Sequence, residues 1–196
     1  MRFLGLFALL LPVSLSAQSS SAPVPQISIR SITIQCAAPE LAKQVGDKTL
    51  EAVKQQTYST DSLQQISQRI RHGFQSRGYF KALVSEPSIA GVTPTSGNQQ
   101  VDITVCVKEG ERYRLEALAF EGNSAIASDE LRAQFNLSPG DVFDTVKVRQ
   151  GLELVRKLYA SQGYVRFTPI PSTQVDDKKH TVSLYIQIEE GNREGS

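Results

Sequence analysis

The chain carries one pattern twice: Ser76-Arg77-Gly78-Tyr79-Phe80-Lys81 returns 85 positions later as Ser161-Gln162-Gly163-Tyr164-Val165-Arg166. The same offset carries Tyr58-Ser59-Thr60 onto Phe143-Asp144-Thr145, and Leu63, Ile70 and Phe74 onto Val148, Val155 and Tyr159. Upstream, Ile32-Thr33-Ile34 maps onto Leu118-Ala119-Phe120 at an offset of 86. Downstream, Val105-Cys106-Val107-Lys108-Glu109-Gly110 maps onto Ile186-Gln187-Ile188-Glu189-Glu190-Gly191 at 81. Anchors that keep their order with so little drift predict two copies of one small domain. The division is 26–109 and 110–192, with a tail at 193–196. At roughly 80 residues, each copy is near the lower size at which a core holds without staples.

The ends and the charge bound the setting. Met1-Arg2, the thirteen-residue apolar run Phe3 to Leu15, and small residues at Ser14, Ser16 and Ala17 read as a secretory signal peptide over 1–17. That run is short of the ~20 residues a membrane-crossing helix needs. Ser19 to Pro25, within 18–25, reads as a disordered tether. Without Arg2 the 21 basic side chains become 20, against 20 acidic. A balanced chain argues against nucleic acid and against a polybasic membrane-binding face.

Each unit opens with apolar alternation: Ile27, Ile29, Ile32 and Ile34 in the first, Leu115, Leu118 and Phe120 in the second. In the second, Gly122-Asn123 ends the strand and Ser128-Asp129-Glu130 supplies a cap and an acidic first turn before Leu131 and Phe135. Asp144 or Thr145 caps the next helix, whose apolar positions are Val148, Leu152, Val155, Leu158 and Tyr159. In the first unit Ser59 or Thr60 caps it, with Leu63, Ile66, Ile70 and Phe74 on one face, while Gly46-Asp47 interrupts the preceding helix. Gly78 and Gly163 stop the second helices, where a left-handed residue costs glycine least. A strand is expected from each tyrosine onward, then a hairpin. The last strand alternates through Val101, Ile103, Val105 and Val107, or Val182, Leu184, Ile186 and Ile188. The expected fold is α+β: two β-α-α-β-β units, each a three-stranded mixed sheet covered on one face by two helices.

This order, with Leu118-Ala119-Phe120-Glu121-Gly122-Asn123, Leu131, Pro139-Gly140-Asp141-Val142-Phe143, Leu158-Tyr159 and Gly163-Tyr164, resembles the POTRA domain. The first unit departs from the pattern, with Cys36-Ala37 where Gly122-Asn123 stands in the second. The resemblance implies a periplasmic role in front of BamA-like and TamA-like outer-membrane barrels or secretion transporters. There, unfolded segments would be handled by strand addition to a sheet edge, for which sequence-independent backbone hydrogen bonds are suited. No tract of alternating ten-residue strands follows up to Ser196, so the expectation is a module without a barrel of its own.

The family arrangement puts the last strand in the middle and the second strand at an edge. Val165-Arg166-Phe167-Thr168-Pro169-Ile170-Pro171 agrees, since prolines two apart delete donors that a central strand needs; this edge is blunted. The corresponding Phe80-Lys81-Ala82-Leu83-Val84-Ser85-Glu86 meets no proline until Pro87. It is the candidate edge for an extended client or partner, with a groove beside it lined by Ile66, Ile70 and Phe74. The alternative is that these residues are ordinary edge and core.

No catalytic cluster is visible. His72 and His180 read as solvated surface, without neighbours at metal-ligand spacing, and there is no phosphate loop or nucleophile elbow. No metal, cofactor or small-molecule substrate is expected. The family sheet makes the strands of Cys36 and Cys106 neighbours, and export favours a disulfide. Against it, Cys36 follows the inward parity of Ile34, whereas Cys106 alternates against Val105 and Val107 and points away from the helices. Bridge and free thiols both stand. The reading is an exported, non-enzymatic protein–protein interaction module for outer-membrane assembly or secretion, with barrel or envelope components as partners. The alternative is an envelope or division scaffold with a retained N-terminal anchor.

Overall fold

The computed structural model describes residues 26–56, 58–95 and 98–193. The signal-peptide and tether readings lie outside them, as does most of the tail. In the first unit, β1 (Gln26–Gln35) leads into α1 (Pro39–Val53) and α2 (Thr60–Gln75). Then come β2 (Leu83–Val84), β3 (Ser88–Thr95) and β4 (Asn98–Lys108). The second unit contains β5 (Arg114–Glu121), α3 (Ser128–Arg132), α4 (Thr145–Ser161), β6 (Thr168–Asp176) and β7 (Thr181–Glu189).

Both sheets follow one plan. The last strand is central, the first lies parallel to it, and the intervening strand is antiparallel on the other side. The orders are β5-β7-β6 and β1-β4-β2, with β3 continuing along β4 beyond β2. Even the irregularities repeat: β1 slips register around Arg30 and β5 around Glu116, again 86 positions apart. Each bulge lets an exposed charge reach across. Arg30 pairs with Asp102, and Glu116 accepts from the Thr181 hydroxyl at 2.9 Å.

Two separate cores hold the layers together. Ile29, Val45, Ile66, Ile70, Phe74, Val101, Ile103 and Val105 are buried in the first. Leu115, Leu131, Phe143, Val155, Tyr159, Leu184 and Ile186 are buried in the second. Each such side chain contributes about 1.5–3 kcal/mol by leaving water.

The second helices begin and end as local chemistry dictates. Ser59 caps α2 reciprocally with Ser62, and the Asp144 carboxylate caps α4 by accepting from Val146 and Lys147 N–H. Gly78 and Gly163 are left-handed at φ 93° and 88°. The Tyr79 N–H returns to the Phe74 carbonyl at 3.2 Å, and the Tyr164 N–H to Tyr159 at 3.0 Å. The two closures are the same Schellman turn.

Three local expectations are corrected. α1 runs unbroken through Gly46-Asp47. Gly46 is there because a Cβ would stand 3.1 Å from the Ile32 carbonyl of β1, so the residue marks close helix–strand approach rather than a break. Tyr79 and Tyr164 begin turns, not strands; the strands start at Leu83 and Thr168. Ala127, not Ser128, occupies the N-cap of α3, and Ser128 instead receives a 3.1 Å hydrogen bond from the Asn123 amide.

Candidate functional site

The rim of the first sheet is built in two pieces. Leu83 and Val84 pair with Lys108 and Val107 of β4, and β3 pairs with the same strand from Thr104 to Asn98. Pro87 cannot donate, and between the pieces Ser85 bridges the gap. Its N–H donates to the Cys106 carbonyl, and its hydroxyl accepts from the Cys106 N–H, both at 3.0 Å. The second rim is β6, with Pro169 opposite Ile188 and Pro171 opposite Ile186.

Apolar side chains stand uncovered along the first rim. Leu83, Ile89 and Val92 are 67%, 47% and 53% exposed. Ile89 lies opposite Ile103 and Val92 opposite Val101, so both share the face that the helices cover further in. Beside them, between α2 and Val84–Pro87, runs a groove of about 480 Å³, with Leu63, Gln64, Ser67 and Arg71 on its helical wall.

The structure relocates the expected groove residues. Ile66, Ile70 and Phe74 are fully buried in the core with the β4 side chains, on the face of α2 adjoining the groove and not lining it. Nor does the rim run from Phe80 to Glu86: only Leu83 and Val84 are paired as strand, and Phe80, Lys81 and Ala82 form a turn.

That turn belongs to the joint between the units. The Phe80 ring packs edge-on against Phe143 at 5.2 Å and Tyr113 at 6.4 Å. Lys81 reaches the Asp177 carboxylate at 2.6 Å, and the Tyr113 hydroxyl donates to the same group at 2.6 Å. These contacts hold Asp177 below the usual carboxylate range, Lys81 first and Tyr113 second. The Tyr113 phenol is pushed up to about 12 by its bond to Asp177 and by burial. The Tyr113 N–H completes the joint on the Gly78 carbonyl at 2.8 Å. Sequence spacing could not show this, because every contact spans more than thirty positions.

Cys36 and Cys106 are joined, with Cα atoms 5.3 Å apart. Strand parity does not govern Cys36, because β1 ends at Gln35 and Cys36 is left-handed at φ 68°. It occupies the place of Gly122, φ 81°, where a Cβ would crowd the Ile188 carbonyl at 2.4 Å. The first unit fills this close approach with a covalent link.

His180 lies edge-on to Tyr113 at 5.9 Å, with its ring 4.0 Å from the Glu111 carboxylate. His72 lines a cleft where α1 and α2 meet α4. Among the described residues, no three His, Cys, Asp or Glu side chains gather around a metal position. No described helix is long and apolar enough to cross a membrane.

A mixed sheet with a central last strand under two helices, present twice, defines a tandem α+β domain class. The POTRA family model, described as a surface antigen variable number repeat, matches residues 27–110 and again 113–191. The chain belongs to the POTRA family. It is 25% identical to the outer membrane protein assembly factor BamA of Buchnera aphidicola over 133 residues, 68% of this chain and 21% of that protein. It is also 25% identical to BamA of Neisseria meningitidis over 159 residues, 74% of this chain and 19% of that protein. The chain thus spans about a fifth of the length of these relatives. Among solved structures, BamA POTRA3-5 of Haemophilus influenzae matches with a TM-score of 0.64 at 18% identity, over 86% of this chain and 67% of that one. BamA of Haemophilus ducreyi lacking POTRA domains 1-3 matches at 0.59 and 21%, over 84% and 30%. These two likenesses concern the fold.

Proposed function

We propose that this tandem POTRA chain is a non-enzymatic interaction module of the cell envelope, acting in the periplasm in outer-membrane protein assembly or secretion. Its partners are proteins, and it takes extended client or partner segments by strand addition at the first unit's rim. The assembly role rests on the relatives, which are themselves outer membrane assembly factors. The mode rests on one observation: among the described residues β2 and β3 pair on one side only, and Leu83, Ile89 and Val92 stand uncovered along them. Backbone donors and acceptors along a rim accept any extended chain, and pockets for alternate side chains add preference. The α2 groove beside Val84 and Pro87 supplies such a pocket. Pro169 and Pro171 make the second unit's rim a poorer template.

The proposed contact covers Leu83 to Glu86 and extends along β3 to Thr93, short of Pro94. Phe80, Lys81 and Ala82 lie outside it, since the turn they form is engaged in the joint. The test is an NMR titration with synthetic peptides copied from outer-membrane barrel strands. Shifts along residues 83–93, weakened by Ile89→Lys and Val92→Lys with the fold intact, support the reading. Shifts confined to β6, or binding indifferent to both lysines, overturn it.

A further inference from the structure

Four lysine or arginine side chains and one histidine converge where the two units meet. Lys48 of α1, Arg69 and His72 of α2, Arg77 and, from the second unit, Arg149 of α4 line one cleft of about 280 Å³. Among the described residues, no Asp or Glu lines it. The nearby helical carboxylates are engaged elsewhere, Glu51 with Lys54 at 2.7 Å and Glu153 with Arg156 at 4.0 Å. Arg77 is held along the wall by donating to the Gly73 carbonyl at 2.7 Å. In a chain with 21 basic and 20 acidic residues, this is a local excess that the overall balance conceals. Exposed charges are individually weak. Several of one sign in a concave site focus the field and favour an anionic occupant.

We propose that this cleft binds an acidic segment of a protein partner, and that the bound segment bridges the two units. Guanidinium groups match carboxylates in fork geometry. Val45, Ala52 and Val146 give the cleft apolar wall between the cations, which suits side chains alternating with carboxylates. A bilayer is a poorer fit, because a flat surface cannot enter a concave joint. The inference is independent of strand addition at the rim, since the two sites lie on different faces of α2: Arg69 and His72 line the cleft, Gln68 and Arg71 the groove.

The full chain is titrated by calorimetry with a synthetic peptide of alternating glutamate and valine, at low salt and at about 0.15 M ionic strength. Saturable binding that weakens with salt is expected. Arg69→Gln combined with Arg149→Gln should weaken it about tenfold or more, while Arg71→Gln and Ile89→Lys leave it unchanged. Residual dipolar couplings should show the relative orientation of the units tightened by the peptide. An equally tight lysine–valine peptide, a double variant that binds like the parent, or phosphatidylglycerol vesicles captured through the same arginines in place of the peptide would each overturn the proposal. Circular dichroism of the double variant establishes that its fold is retained.

Discussion

The ring of Phe80 stands perpendicular to that of Phe143, centroids 5.2 Å apart, so a side chain of the first unit completes the packing of the second core. Its counterpart in the repeat, Val165, is 55% exposed. The fold itself therefore does not require an aromatic ring here; the joint does. Phe80→Ala should cost about 2 kcal/mol, less than a fully buried phenylalanine, and should uncouple the units. Calorimetry checks this: one cooperative transition in the parent is expected to separate into two, and an unchanged endotherm would count against the joint.

Gly78 sits in the same joint and is left-handed, and a Cβ on it would lie 2.5 Å from Val142 and 3.2 Å from the Tyr113 carbonyl. Gly140 has nearly the same φ with open space around it. The left-handed conformation alone costs about 1–2 kcal/mol for a residue with a Cβ. Gly140→Ala should show that cost, and Gly78→Ala distinctly more. Equal urea midpoints for the two variants would mean that the joint yields freely.

The Lys81–Asp177–Tyr113 cluster gives the joint a pH signature. Asp177 is depressed in the folded state, so its contribution is present above the usual carboxylate pKa of about 3.9 and lost as pH falls through the lower folded value. Tyr113 is raised, so its contribution is present below about pH 10 and lost as pH rises toward about 12. Inter-unit nuclear Overhauser effects between Phe80 and Phe143 should persist across neutral pH and fade at both extremes. Asp177→Asn should remove the acid limb; an acid limb that survives it would assign the effect elsewhere.

Breaking the Cys36–Cys106 link should destabilise the first unit alone. A loop of sequence separation 70 implies about 4 kcal/mol from chain entropy. With Cys106→Ser as the background, Cys36→Gly should be the mildest companion change, because φ 68° suits glycine as it does Gly122. Urea unfolding followed through Tyr58 and Tyr79, against Tyr159 and Tyr164, separates the units; equal loss in both would show that the staple acts beyond its own sheet.

Legibility in the sequence followed the range of the physics. The repeat, the helix stops at Gly78 and Gly163, the alternation of β4 and β7 and the proline-marked rim at β6 are local signals, and the structure carries them all. Gly46 misled because a glycine reads as a helix breaker in isolation, whereas here it lets α1 approach β1. Cys36 misled because parity assumes extended backbone, and the residue is left-handed. Phe80 could not be separated from the rim by pattern alone, because its partners Tyr113 and Phe143 lie beyond the linker. The basic side chains of the cleft come from three helices and the turn that follows α2, and vanish into a whole-chain charge near zero.

The bridge between Cys36 and Cys106 also sets a mechanical path. Tension entering at Gln26 and leaving toward the second unit travels along β1, crosses the sulfurs and leaves through Val107 and Lys108 at the end of β4. The closed loop, with both helices and the rim strands, carries none of that load. A pull that would unravel an unlinked unit leaves the proposed recognition rim in shape.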